Sequence, residues 1–266
     1  MKLRTLFGSA ALLAGLTLTG LTSATLGADL TVGANIGNVP WEFQDAAGAT
    51  VGFEVDLVNE VAKRLGKTVE FQNIPFNGLF AAVTSGRINM AVSSITITKK
   101  RLETVTFAQP YYDSDQSLTV LAASGIKGTA DLKGKTIGVD TASTGDIYAT
   151  ENTEKLGLAG ISRYEGLTPA MLDLQAGRID GYISDIPALL YYTKDKPEFK
   201  VVERIVTGEK YSIMFNKADP LATQVNDVIT TLKGEGFIAA LHEKWFGAKP
   251  EATTSSVAVA DMPTAP

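Results

Sequence analysis

The chain is predicted to fold as α/β in two similar lobes, on two observations. Segments with strand character alternate with segments of helical period, the pattern of α/β units around a largely parallel sheet. The run Gly86-Arg87-Ile88-Asn89-Met90-Ala91-Val92-Ser93-Ser94 returns as Gly177-Arg178-Ile179-Asp180-Gly181-Tyr182-Ile183-Ser184-Asp185, identical at four of nine positions. A common helix-to-strand connection would account for that repeat by itself. Two copies of one α/β unit is the sharper reading.

The elements follow in chain order. Residues 1–28 read as a secretory signal peptide. Lys2 and Arg4 precede an apolar stretch, Leu6 to Leu16, and small residues lead up to Ala28. Cleavage is placed after Ala28, with Ala24 as the alternative. Leu30 to Ala34 reads as the first strand. Phe53 to Leu65 reads as a helix, because Leu57, Val58, Val61, Ala62 and Leu65 share one face. Gly66 stands where a helix C-terminus favours positive φ. Val69 to Phe71 is a strand, Leu79 to Ser85 a short helix ended by Gly86, and Met90 to Ser93 a strand.

The second half repeats the scheme. Gly134 to Val139 has a buried-strand pattern, and Ala142 to Asp146 leads into a helix. Thr168 is placed to cap a helix, with Pro169 at its first position and Gly177 at its end. Tyr211 to Phe215 returns as a strand, and Phe237 to Phe246 is an amphipathic helix. Two lobes with two crossings place hinges near 111–118 and 207–213. The tail, 249–266, is Pro, Ala, Thr, Ser and Val without period and reads as flexible. In open α/β sheets ligands bind beyond the carboxyl ends of strands. Ser94 and Asp185 should therefore face each other across a cleft.

Composition excludes several classes. The 266 residues suffice for one large or two small domains. A net charge of −5 with no basic stripe argues against nucleic acid as a partner. With no cysteine there is no disulfide, thiolate metal site, cysteine nucleophile or lipoprotein anchor. A single histidine leaves little for a His-based metal site or a Ser-His-Asp triad. No metal, cofactor or catalytic residue is assigned.

Six stretches in order carry a family resemblance. They are Val39-Pro40-Trp41-Glu42-Phe43, Gly52-Phe53-Glu54-Val55-Asp56-Leu57, Ser94-Ile95-Thr96-Ile97-Thr98-Lys99-Lys100-Arg101, Phe107-Ala108-Gln109-Pro110-Tyr111-Tyr112, Asp131-Leu132-Lys133-Gly134-Lys135 and Lys244-Trp245-Phe246-Gly247. Through them the chain resembles the periplasmic solute-binding proteins of polar amino acid ABC importers (extracellular solute-binding protein family 3). The resemblance spans about 39–247. It implies two Rossmann-like lobes joined by two hinge crossings, a type II periplasmic binding protein that closes on a free L-amino acid. Lobe 1 would be 29–115 with 212–248, and lobe 2 would be 116–211. The expected partner is the membrane permease of an ABC importer, and the expected state is a periplasmic monomer.

An amino acid ligand needs its carboxylate and its ammonium both met, because a buried unpaired charge costs several kcal/mol. Arg101 is the expected carboxylate partner, since guanidinium pairs with carboxylate in a two-bond fork. Thr98 reads as an N-cap, which puts Lys99, Lys100 and Arg101 in a first helical turn, where cations oppose the dipole. A bound anion would offset that; a solvated charge run is the plain alternative, and it stands for Lys99 and Lys100. The resemblance makes Asp185 the ammonium partner, helped by the Thr96 hydroxyl and the Ser94 carbonyl. A helix-capping role for Asp185 is compatible. Thr96 and Thr144 would offer backbone N–H groups to the carboxylate. Ser143 and Thr144 stand where the family has Gly-Thr-Thr, with Ala142 in place of the glycine.

Residues of both lobes would thus share the ligand, which favours the closed state. Phe76 matches a position that packs on the ligand side chain. Asn38 takes the place of a second aromatic, and Asn35 the place of a common Asp. Asp140 enters where a side chain would end, either as a partner for a cationic group beside an aromatic or as a plain loop carboxylate. The ligand is therefore expected to be polar and possibly cationic, such as arginine or lysine. Trp41 is expected in the core and His242 at the surface or half-buried. The alternatives are a dehydratase-like enzyme on this scaffold, with Glu42, Asp140 or Asp185 as acid, and a sensor module.

Overall fold

A computed structural model describes residues 27–265; most of the signal-peptide reading lies outside the described residues. The chain begins with β1 (Leu30–Ala34), a hairpin of β2 (Phe43–Gln44) and β3 (Thr50–Val51), α1 (Phe53–Arg64), β4 (Val69–Asn73), α2 (Phe76–Thr84), β5 (Met90–Ala91), α3 (Lys99–Thr104) and β6 (Val105–Phe107). A second set follows: β7 (Tyr112–Leu121), β8 (Thr136–Asp140), α4 (Thr144–Glu151), α5 (Thr153–Leu156), β9 (Gly160–Tyr164), α6 (Leu167–Gln175), β10 (Gly181–Asp185), α7 (Ile186–Thr193) and β11 (Phe199–Tyr211). The chain then returns through β12 (Met214–Asn216), α8 (Pro220–Gly234) and α9 (Phe237–Phe246).

Two five-stranded sheets result, ordered β4-β1-β5-β12-β6 and β11-β7-β10-β8-β9. In the first, β1 runs parallel to β4 and β5, and the returning β12 is antiparallel to β5 and β6. In the second, β8 is parallel to β9 and β10, and the long β7 and β11 pair antiparallel along the edge. These two strands carry the crossings between the sheets.

The repeated nine residues do the same work in each lobe. Gly86 (φ +72°) and Gly177 (φ +69°) both turn the chain left-handed at a helix end. Each following isoleucine packs on a glycine of its lobe's parallel core. A Cβ on Gly33 would lie 2.4 Å from Ile88 Cδ1, and one on Gly138 would lie 2.5 Å from Ile179 Cδ1. The next residue ties the same strand: Asn89 Oδ1 accepts from Thr31 N and Asp180 Oδ2 from Thr136 N, both at 2.8 Å. The similarity therefore extends to the partners of the repeat, which a generic connection would not produce.

Two local expectations shift. α6 starts at Leu167 behind Gly166 instead of at a Thr168 cap, because Leu167 is buried and draws the first turn into the core. α2 starts at Phe76, earlier than its apolar period indicates. Trp41 is fully buried among Phe53, Tyr112, Tyr211 and Phe246. His242 is half-buried and stacks on Tyr112.

The tail, expected to be flexible, lies docked along the hinge strands. Ser255 donates to Asp113 through its N–H (2.8 Å) and its hydroxyl (2.5 Å), and the Ser256 hydroxyl donates to the Tyr111 carbonyl at 3.0 Å. Lys233, only 4% exposed on α8, donates to Gln109 Oε1, the Pro110 carbonyl and the Ala258 carbonyl of the tail. Composition missed this because the partners are hinge groups far away in sequence. Truncation after Ala248 should remove one acceptor from the buried Lys233 ammonium and two donors from Asp113, at a cost of about 1–3 kcal/mol. A thermal melt should show a drop of several degrees; an unchanged midpoint would mean that these contacts carry no stability.

Candidate functional site

The ten residues singled out from the sequence all line one cavity between the sheets. From the first lobe come Asn35 and Asn38 after β1, Phe76 at the start of α2, Ser94 and Thr96 after β5, and Arg101 on α3. From the second come Asp140 at the end of β8, Ser143 and Thr144 at the start of α4, and Asp185 at the end of β10. Ser93, Leu167 and Ser184 also line it; Ser93 and Ser184 belong to the repeat, but the residues at the strand ends beyond them, Ser94 and Asp185, carry the expected ligand contacts.

Arg101 is held from several sides. The Thr98 hydroxyl caps α3 by accepting from Arg101 N at 3.1 Å, as its spacing predicts. The guanidinium donates to the Thr96 carbonyl at 2.7 Å and, across the cleft, to the Ala142 carbonyl at 3.2 Å. It sits over the rings of Phe76 and Phe80, 5.4 and 5.1 Å from their centroids. Burial lowers its pKa to about 10, so it remains cationic at neutral pH. Lys99 and Lys100 are exposed, in keeping with the solvated reading kept for them.

Ala142 adopts φ +64°, so the loop keeps a left-handed conformation without glycine at a cost of about 1 kcal/mol. Ser94 is likewise at φ +45°. Ser143 caps α4 by accepting from Asp146 N at 3.1 Å. Thr144, the first residue of α4, lines the cavity.

Asp185 stands at the N-terminus of α7 but makes no side-chain cap bond. Its carboxylate turns into the cavity instead and accepts from Gln116 Nε2 at 2.7 Å. The Ser94 and Tyr211 hydroxyls face it, so Ser94 and Asp185 do meet across the cleft. Burial, with the charge of Glu209 next, raises its pKa to about 7. Asp140 is raised to about 6 by burial, and its Oδ1 is buried without a partner.

Polar support lies behind the cavity. Glu42 and Glu54 are both fully buried. Burial and the charge of Glu54 hold Glu42 well above the ordinary carboxyl range. Glu42 accepts from Ser93 Oγ at 2.7 Å and from Asn38 Nδ2 at 3.3 Å, and Glu54 accepts from Ser94 N at 2.9 Å and from the Tyr111 hydroxyl. This pair fixes the first-lobe loop, and Glu42 does not line the cavity. Glu209 of β11 and Gln116 of β7 were missed by the sequence reading. The Thr96 hydroxyl donates to Glu209 at 2.5 Å and the Thr144 hydroxyl at 2.9 Å. Among the described residues there is no cluster of His, Cys, Asp and Glu suited to a metal, and no helix long and apolar enough to cross a membrane.

Comparison with known proteins gives the family and the fold. The family model of bacterial extracellular solute-binding proteins, family 3, matches residues 30–248. The chain is 29% identical to a putative ABC transporter arginine-binding protein of Escherichia coli over 89% of this chain and 97% of that one. It is 31% identical to an L-cystine-binding protein of Escherichia coli, over 79% of each chain. Among solved structures, the arginine-, lysine-, histidine-binding protein ArtJ of Geobacillus stearothermophilus superposes with a TM-score of 0.78 at 32% identity. That match covers 84% of this chain and 97% of that one.

Proposed function

This chain belongs to the bacterial extracellular solute-binding proteins, family 3, with the two-lobed fold of type II periplasmic binding proteins, and from that premise we propose that it closes on a cationic L-amino acid and delivers it to an ABC importer. The observation that carries the proposal is the meeting of Arg101, from one lobe, and Asp185, from the other, in one enclosed cavity. Arg101 takes the ligand carboxylate, with the Thr96 and Thr144 N–H groups. Asp185 takes the ammonium, with Thr96 and Ser94. Because the charges of one ligand are matched by both lobes, the ligand binds the closed form better than the open one, and only that difference shifts the equilibrium. The closed form is what the permease meets.

The side-chain end favours a cation. Asp140 brings a carboxylate to the cavity wall, Asn35 stands in the same cavity, and the Phe76 ring supplies an aromatic wall. The arginine-binding relatives fit this charge pattern. On this reading the residues bind and carry out no chemistry: Glu42 is held in its buried pair outside the cavity, and Asp140 and Asp185 are the partners of the ligand's cationic groups. The protein acts as a monomer in the periplasm, exported by the signal peptide read at 1–28.

The test is a thermal-shift panel on refolded, ligand-free protein with the common L-amino acids, opines and small carboxylates. At 100 times its dissociation constant a ligand stabilises by about 2.7 kcal/mol, roughly 5–10 °C for a protein of this size. L-arginine or L-lysine should give the largest rise. Asp140→Asn should reduce the preference for cationic over neutral ligands by about tenfold or more. A rise only with a non-amino carboxylate would refute the proposal, and an unchanged preference in Asp140→Asn would refute its cationic part.

A further inference from the structure

Glu209 is 5% exposed on the strand that crosses between the lobes. Its carboxylate has no Lys or Arg within ion-pair distance among the described residues. Four side chains satisfy it instead. Oε2 accepts from the hydroxyl of Thr96 of the first lobe at 2.5 Å and from that of Thr144 of the second at 2.9 Å. Oε1 accepts from Gln116 Nε2 at 2.9 Å and from the Thr207 hydroxyl at 3.1 Å. The same Gln116 nitrogen reaches Asp185 Oδ1 at 2.7 Å.

A carboxylate only accepts, so each threonine hydroxyl must spend its single proton on Glu209. What the Thr96 oxygen then has left is lone pairs, and Thr96 lines the same cavity as Asp185. An oxygen so oriented accepts from an ammonium and cannot turn a proton towards it. The arrangement also requires both lobes at once, because one carboxylate oxygen receives a hydroxyl from each.

We infer that Glu209 is a positioning residue of the amino acid site: it fixes the Thr96 and Thr144 hydroxyls as donors to itself, so that Thr96 presents an acceptor to the ligand ammonium in the closed form. The inference rests on the amino acid reading given above. A bare hinge-pinning role would weaken every ligand alike, whereas this role concerns the ammonium alone.

Glu209→Gln is the discriminating variant. The amide keeps the shape; its oxygen stays on the Gln116 NH₂, since two NH₂ groups cannot pair, and its own NH₂ then faces the Thr96 and Thr144 hydroxyls, which must reverse. Calorimetry would compare L-arginine with 5-guanidinopentanoate, which lacks only the ammonium. Wild type should strongly prefer L-arginine, and Glu209→Gln should cut that preference at least tenfold. Equal losses for the two ligands would overturn the inference and leave Glu209 a hinge pin. If Glu209→Gln does not fold, Glu209→Asp keeps the charge but draws the carboxylate back from the Thr96 and Thr144 hydroxyls, and the same ammonium-specific loss is expected; equal losses again overturn it. A wild type that binds L-glutamine but not L-arginine refutes only the cationic reading, and the comparison is then made with L-glutamine and 4-carbamoylbutanoate. A wild type that binds no L-amino acid overturns both.

Discussion

Replacing Arg101 with alanine is expected to raise the dissociation constant for the amino acid by about two to three orders of magnitude. Removing one partner of a buried, hydrogen-bonded charge pair costs about 2–5 kcal/mol, and every 1.4 kcal/mol is tenfold. The cost is at the upper end of such effects because Arg101 is only 8% exposed, so water cannot replace it at the ligand carboxylate. Lysine should recover part of the loss. It restores the charge but not the fork, and it does not bring a planar, delocalised cation to the Phe76 and Phe80 rings as guanidinium does. Titration calorimetry at fixed pH and salt orders the three proteins. An alanine variant within a few-fold of wild type would mean that the carboxylate is held elsewhere, with the Thr144 N–H at the start of α4 as the remaining candidate.

The parts of the molecule legible in the sequence are those with local causes. Thr98 caps α3 because its own hydroxyl reaches a backbone N–H three residues on. The Gly-Arg-Ile repeats announce themselves because the turn, the plug and the strand tie are all encoded within nine residues. The ten cavity residues were legible through motifs with fixed order along the chain. What escaped has causes far away in sequence. Glu209 lies 113 residues from Thr96 and 65 from Thr144, and no local pattern distinguishes it from an exposed strand carboxylate. The tail was misread because serine-rich composition describes a segment by itself, whereas its order comes from Asp113 and Lys233. Asp185 before Ile186-Pro187 has the sequence of a cap, yet burial in the cavity and the Gln116 amide draw its side chain the other way. In each case a long-range partner outweighed the local preference.

Acidification is expected to weaken binding with a midpoint near neutral pH. Asp185 in the ligand-free protein is raised to about 7, through burial and then the charge of Glu209. An ammonium pairs with the ionised carboxylate, so below about pH 7 binding must first expel a proton. The dissociation constant should then rise by up to tenfold for each pH unit between about 7 and 5, and level off above 7. Asp140, at about 6, steepens the lower part when the ligand side chain is a cation. The sign for the fold is opposite. The pKa of Asp185 in the folded, ligand-free state lies above its ordinary value of 3.8. Its contribution to stability is thus fully present below about 4 and lost as the pH rises through about 7. Ligand-induced stabilisation should therefore grow from pH 5 to pH 7.5 over the same window in which this group makes the ligand-free protein less stable. An amino acid keeps both its charges throughout, so the trend belongs to the protein. Melts with and without L-arginine across this range separate the two effects. Asp185→Asn should bind weakly and lose most of the pH dependence, because the proton that competes with the ammonium has lost its site. An affinity that stays flat from pH 5 to 8 in the wild type would mean that the ammonium is not paired with Asp185.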